Sequence, residues 1–97
     1  MAVVAYIHLA YTPDVSEKVL HLVQNAVEVV KGQDGFQDLN AYHCQEETAW
    51  HLFITWESQE HHDACQRSPQ WIMLMPVLSE LMEAEALQLK LSFCDSL

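Results

Sequence analysis

The segment FITWESQEHHDACQRSP, residues 53–69, carries two histidines and a cysteine close enough together for chemistry. On a helix, His62 and Cys65 are three residues apart and His61 and Cys65 are four, so either pair could bind a metal from one face. A metal site needs three or four ligands, and the sequence has no second cluster at a suitable spacing. We therefore predict no metal here, and Cys65 lacks the helix-start position that would activate its thiol.

The elements that position this segment are visible in the spacing of apolar residues. Residues 2–11 form an alternating pattern that predicts a strand with apolar groups on both faces. The 3.6-residue spacing that follows predicts a helix from about Val15 to Lys31. The same criteria predict three further strands, over residues 35–45, 48–57 and 85–94.

Two further helices are predicted between the third and fourth strands. Ser58 should cap a short helix of about two turns, and Ser68 with Pro69 should begin another. Pro76 lies inside the second of these, where its missing N–H should kink or split the helix. The resulting order, β-α-β-β-α-α-β, is that of an α+β, ferredoxin-like split βαβ fold. We expect one domain over residues 1–97 and one four-stranded antiparallel sheet.

Helices can cover only one face of such a sheet, yet the first and third strands carry large apolar groups on both faces. A small domain of this kind usually hides the second apolar face in a symmetric partner. We therefore predict a homodimer whose two sheets meet face to face.

Composition excludes several classes of partner. The formal net charge is −10, from 14 acidic and 4 basic residues, so a nucleic-acid partner and an anionic membrane surface are both disfavoured. The longest apolar run falls well short of a membrane span. Only two glycines occur, which disfavours a phosphate-binding loop. Three widely spaced cysteines are typical of a reduced cytoplasmic protein.

The stretches GFQDLNAYH and TWESQEHHDACQRSPQW, together with the element order, give the chain a resemblance to a known family. It resembles the antibiotic biosynthesis monooxygenase (ABM) family of dimeric α+β barrels, over essentially its whole length. The resemblance implies cofactor-independent oxygenation of a small apolar or aromatic ligand, such as a hydroquinone or anthrone. It also implies a pocket between the sheet and the helices of each subunit.

Gap-free matching to the family over residues 35–62 places four pocket-lining positions in this chain, at Tyr42, Leu52, Trp56 and His62. The family's polyketide oxygenases tend to carry histidine, asparagine and tyrosine at the positions of Tyr42, Leu52 and His62. We take His62 as the candidate base, because histidine titrates near neutrality. Tyr42 would then hold the substrate oxyanion, and Trp56 would form a wall of the pocket.

Three further residues are candidates for substrate binding: Asn40 beside Tyr42, and Trp71 and Met75 on the helix after Ser68. The haem-degrading branch of the family is disfavoured. At its asparagine, tryptophan and ligand-histidine positions this chain has Ile7, Cys65 and Met75.

Each of these assignments has a structural alternative. Trp56 can be core packing alone, and the adjacent His61 and His62 can lie on a solvated helix surface. His8 and His43 are expected to be interior or interface histidines without a catalytic role. For the whole chain, the alternative is a non-catalytic dimer that binds a small molecule or another protein. Leu52, and methionines near the pocket, favour that alternative because they give adaptable binding without chemistry.

Overall fold

A single four-stranded sheet organises the fold, in the order β2-β3-β1-β4 with every neighbouring pair antiparallel. The computed structural model describes residues 2–95, so the predicted domain limits of 1–97 extend just past this range. The strands are β1 (Val3–Tyr11), β2 (Phe36–Cys44), β3 (Ala49–Trp56) and β4 (Leu87–Asp95). The predicted α+β class and the antiparallel four-stranded sheet are confirmed.

Four α-helices accompany the sheet within the described residues: α1 (Ser16–Lys31), α2 (Gln59–Gln66), α3 (Pro69–Ile72) and α4 (Met75–Glu83). Ser58 and Ser68 act as predicted, since the Ser58 side chain accepts from the His61 N–H and that of Ser68 accepts from the Trp71 N–H. The expected break near Pro76 is also confirmed. It divides α3 from α4, and Pro76 lies in the first turn of α4, where its missing N–H costs no helical hydrogen bond.

The helices of the described chain pack against one face of the sheet, which we call the helix face. Alternate side chains of β1 and β3 point to it and join α1 in the core; the buried members include Ala5, Ile7, Leu9, Leu52, Ile54, Trp56, Val19 and Val23. The intervening residues point the other way, because the side chains of a strand alternate. Their register pairs include Tyr6 with Phe53 and His8 with His51. We call this second side the open face.

A β-bulge decides which side chains of β2 reach each face. Phe36 pairs with Trp56 on the helix face, but the register shifts between Phe36 and Asp38. One extra residue in a strand reverses the alternation that follows it. Beyond the bulge, Asn40 pairs with Phe53 and Tyr42 pairs with His51, so both lie on the open face.

The turn before β2 supports the start of α2 through a close packing contact. Gly35 has φ +82°, and a Cβ added there would lie 2.2 Å from the imidazole ring of His61. The same ring is fixed from the other side by Ser58, whose Oγ lies 2.8 Å from His61 Nδ1. His61 is therefore a packing residue, and the position of α2 depends on a glycine at residue 35.

We expect Gly35→Ala to lower the free energy of unfolding by about 2–3 kcal/mol, because it adds both a left-handed backbone penalty and a steric clash. Urea denaturation of the variant and of the parent protein measures the difference. A second change, His61→Ala, should relieve the clash and leave the backbone penalty.

Gly32→Ala is the matched control. Gly32 has φ −87°, and its added Cβ would meet no atom closer than 3.7 Å. Stability should stay unchanged or rise by up to about 1 kcal/mol. Equal effects of the two substitutions would contradict the packing argument.

Candidate functional site

His62 is buried in an aromatic setting at one end of the helix face. Its side chain is 4% exposed, and His62 is the one polar residue among the buried residues of the described chain. The imidazole meets Trp56 edge-to-face at a centroid distance of 6.1 Å and Phe93 at 4.9 Å. None of the side-chain hydrogen bonds within residues 2–95 involves this ring. His62 is thus an interior group of α2, whereas its neighbour His61 packs on Gly35.

Burial determines the protonation state of His62. Removal from water lowers the pKa of His62 below its ordinary value of 6.5, and the negative charge of Asp63 opposes that shift. A charged imidazolium loses more from desolvation than a neutral ring does. At neutral pH the side chain is therefore a neutral imidazole, which is the form that can accept a proton.

Trp56 provides the second polar group at this end of the fold. The indole is 1% exposed, and its Nε1–H has no hydrogen-bond partner among the described residues. A buried donor left unpaired costs about 1–3 kcal/mol. The neutral imidazole of His62 therefore offers a hydrogen-bond acceptor, and the Trp56 Nε1–H offers a donor, among apolar side chains.

An apolar cavity lies nearer the middle of the helix face. It has a volume of about 40 Å³, and all its lining side chains are apolar. Leu52, Trp71 and Met75, three of the residues predicted to bind substrate, line it together with Leu89 from β4. Trp56 and His62 do not line it. Trp56 is four residues along β3 from Leu52, roughly 13 Å at the usual strand rise.

The edge strand β4 connects the cavity to His62. Leu89, Leu91 and Phe93 pair with Leu9, Ile7 and Ala5 on the helix face, yet they remain 36, 37 and 40% exposed. Leu89 reaches the cavity and Phe93 contacts His62. These three residues form an exposed apolar stripe, which we call the β4 stripe, and Phe93 at one end of it packs on the buried His62.

Within one subunit the structure does not bring Tyr42 and Asn40 together with His62. Both residues lie on the open face, on the opposite side of the sheet from Trp56, because the bulge in β2 reverses their orientation. Asn40 instead donates to the Asp38 carboxylate at 3.2 Å. Tyr42 is exposed and meets Phe53 edge-to-face at 6.1 Å.

Sequence reasoning missed Phe93 as a neighbour of His62. The alternation of Leu89, Leu91 and Phe93 is visible in the sequence, but the contact depends on where α2 places the His62 ring. It also left the orientation of His43 open. His43 lies on the helix face, where it hydrogen-bonds the Tyr11 hydroxyl and stacks on Trp50 at 4.6 Å, at the end of the sheet away from Trp56.

A family model described as antibiotic biosynthesis monooxygenase matches residues 2–73. The chain belongs to this family. The match includes β1 to β3, α2 and α3, and therefore both Trp56 and His62. A search of curated proteins gives no match.

Solved structures share the fold of this ABM protein at low sequence identity. A conserved protein from Methanosarcina mazei Go1 has a TM-score of 0.83 at 17% identity, covering 100% of this chain and 94% of that one. Rv0793 from Mycobacterium tuberculosis has a TM-score of 0.82 at 16% identity, covering 100% of this chain and 96% of that one. SnoaB, a cofactor-independent oxygenase from Streptomyces nogalater, has a TM-score of 0.73 at 11% identity, covering 99% of this chain and 93% of that one.

None of the helices in residues 2–95 is long and apolar enough to cross a membrane. Cys44, Cys65 and Cys94 are free thiols, and burial raises the pKa of Cys65 to about 11. Cys65 is therefore protonated at neutral pH, which agrees with the expectation that it is not a nucleophile.

We expect the His62 imidazole to titrate below pH 6.5, so that protein stability depends on pH through this residue. The unfolded chain takes up this proton near pH 6.5, and the folded chain takes it up only at lower pH. The stability that neutral His62 contributes is complete above pH 6.5 and is lost as the pH falls through that window. Imidazole NMR titration measures the pKa directly, and urea denaturation at several pH values measures the loss.

The stability of His62→Gln should depend less steeply on pH than that of the parent. His21→Gln, at an exposed position of α1, is the matched control and should keep the parental slope. A His62 ring that is already charged at pH 6.5 would contradict the assignment.

Proposed function

We propose that this ABM protein is a cofactor-independent oxygenase of a small aromatic substrate of the hydroquinone or anthrone type. The observation that carries the proposal is the buried, neutral His62 beside the unpaired indole N–H of Trp56. A phenol or enol oxygen at that point would give its proton to the imidazole and accept a hydrogen bond from Trp56. The site then favours the substrate anion over the neutral substrate.

The chemistry balances without a cofactor because the substrate supplies the electrons. Deprotonation by His62 gives an electron-rich anion, which passes one electron to O₂. The resulting radical and superoxide combine at the ring carbon to form a peroxide. The peroxide takes back the proton from His62, and in an anthrone the loss of water from this hydroperoxide leaves a C=O group in place of the CH₂ group. A hydroquinone gives the corresponding hydroxyquinone and water. In both cases one oxygen atom enters the product and the other leaves in water.

The β4 stripe is suited to contact the hydrocarbon part of such a substrate. It consists of Leu89 at the cavity, Leu91, and Phe93 beside His62. The cavity, about 40 Å³, is smaller than the roughly 150 Å³ that holds benzene in a packed core. A ring would therefore lie mainly against the β4 stripe, or the junction of α3 and α4 would have to move.

The wholly apolar cavity is also what favours the alternative function. A site lined by Leu52, Trp71 and Met75 offers packing but no acid, base or hydrogen bond. A non-catalytic dimer that binds a small apolar ligand would need no more than this. The two functions differ in whether His62 and Trp56 contribute to turnover.

The open face supports a homodimer as the functional unit. Tyr6 stacks on Phe53 at 4.8 Å, and Phe53 and Tyr42 remain 38 and 56% exposed. An aromatic patch on an uncovered sheet is typical of a protein interface. A second copy of the chain offers the same patch, as a two-fold interface requires. The chain's net negative charge favours neither nucleic acid nor an anionic membrane at this face.

Oxygen uptake by metal-stripped protein with a panel of anthrones, hydroquinones and catechols tests the oxygenase directly. We expect His62→Ala to lower the rate about 10²–10⁴-fold, the usual contribution of a general base. Trp56→Phe keeps an aromatic ring and removes the N–H, and should cost roughly 10²-fold. The parental rate should fall with pH below 6.5, as the base becomes protonated.

Trp50→Phe is the matched control, because Trp50 lies on the same face at the other end of β3; it should keep the parental rate. Tyr42→Phe should also keep it. A rate lost through Tyr42→Phe and retained in His62→Ala would move the reaction to the open face and contradict the proposal. Absence of uptake, with thermal stabilisation by the same compounds, would favour the binding function.

Phe53→Glu should dissociate the proposed homodimer, because it brings two like charges into a face-to-face aromatic interface. Sedimentation equilibrium measures the mass. Met73→Glu, at an exposed position on the helix side, should leave the mass unchanged. A parent protein that sediments as a monomer would contradict the dimer.

A further inference from the structure

We propose that His8, His51 and Glu47 form a binding site for a divalent transition-metal ion on the open face of the sheet. One ligand atom from each residue lies within 4.8 Å of the others. These residues are distinct from the His61, His62 and Cys65 segment, for which no metal was predicted. The β1–β3 register brings them together by pairing His8 with His51.

The geometry is close to that of a coordination sphere. Glu47 Oε1 lies 3.0 Å from His51 Nε2, and the rings of His8 and His51 are 4.8 Å apart. Neighbouring ligand atoms around a tetrahedral zinc ion are about 3.3 Å apart, given Zn–N and Zn–O bonds near 2.0–2.1 Å. Small rotations of His8 and the exposed Glu47 would therefore complete three-ligand binding and leave a fourth position open.

A neighbouring hydroxyl orients one of the imidazole ligands. The Tyr6 OH lies 2.7 Å from His51 Nδ1, on the side of the ring away from Glu47. Histidines that bind metal through one nitrogen almost always hydrogen-bond through the other, which fixes the tautomer and the ring plane. When Nδ1–H donates to the Tyr6 oxygen, the lone pair of Nε2 is directed toward Glu47 and the metal position.

The backbone places Glu47 within reach of His51. Thr48, the next residue, has φ +48° and ψ +57°, the left-handed region that a β-branched residue rarely adopts. This turn ends the short 3-10 segment Gln45–Glu47. It places the Glu47 side chain on the same side of the sheet as His51, which follows four residues later.

The donor set selects the class of metal. Two imidazoles and one carboxylate suit zinc and its first-row neighbours, whereas magnesium and calcium prefer oxygen ligands throughout. The net charge of −10 attracts any cation. Lys90, the register partner of His8 on β4, opposes binding locally. The site lies on the opposite face from His62, so its occupancy is separate from the proposed oxygenation.

Titration of the chelator-treated protein with Co²⁺ and Zn²⁺, followed by visible absorption and calorimetry, tests this site. Each ion is also added during refolding, so that a dimer interface cannot exclude it. We expect one equivalent per chain, with affinity lowered at least tenfold by His8→Gln or by His51→Gln. Tyr6→Phe should lower it about tenfold, and Lys90→Gln should raise it. Mg²⁺ should not compete.

His21→Gln, on the exposed surface of α1, is the matched control and should keep the parental affinity within twofold. Failure to bind one equivalent in both the native and the refolded protein would overturn the site. So would binding that survives both His8→Gln and His51→Gln, or binding lost through His61→Gln alone. Oxygen uptake plays no part in this test, so its outcome is independent of the proposed function.

Discussion

This molecule depends on one constraint: successive side chains of each strand point to opposite faces of the sheet, and helices cover only one of those faces. Each residue of β1 and β3 belongs to one face or the other, and the two faces carry different chemistry. The helix face is apolar and buries Trp56 and His62. The open face carries tyrosine, histidine and carboxylate side chains where β1 and β3 pair. The proposed oxygenation, the dimer and the metal site each belong to one of these faces.

The end of the helix face at which we propose the reaction contains two groups that a core would ordinarily avoid. Burial holds His62 in its neutral form, and the Trp56 N–H lacks a partner within the described chain. Both features cost stability, because desolvated polar groups lose their water. A substrate oxygen that met both groups would offset part of that cost on binding. Unpaired polar groups in an otherwise satisfied core are typical of functional sites.

Much of the fold follows from local signals in the sequence. Ser58, Ser68 and Pro76 set the helix boundaries of the second half, and the alternation of Leu52, Ile54 and Trp56 identifies their shared face. The orientation of Asn40 and Tyr42 could not be predicted this way. Uninterrupted alternation from Phe36 would turn both toward the helices, and the bulge that reverses them depends on pairing with β3. The burial of His62 and the meeting of His8 with Glu47 likewise depend on contacts between distant segments.

The most direct test of the central claim is to observe the Trp56 indole N–H by ¹⁵N NMR while an anthrone or hydroquinone is added without oxygen. We expect this resonance to move downfield as a hydrogen bond to the substrate oxygen forms, and the imidazole of His62 to take up the substrate proton. The Trp50 indole should not respond. A ligand that binds and perturbs Tyr6 and Tyr42 while the Trp56 and His62 resonances stay unchanged would contradict the account.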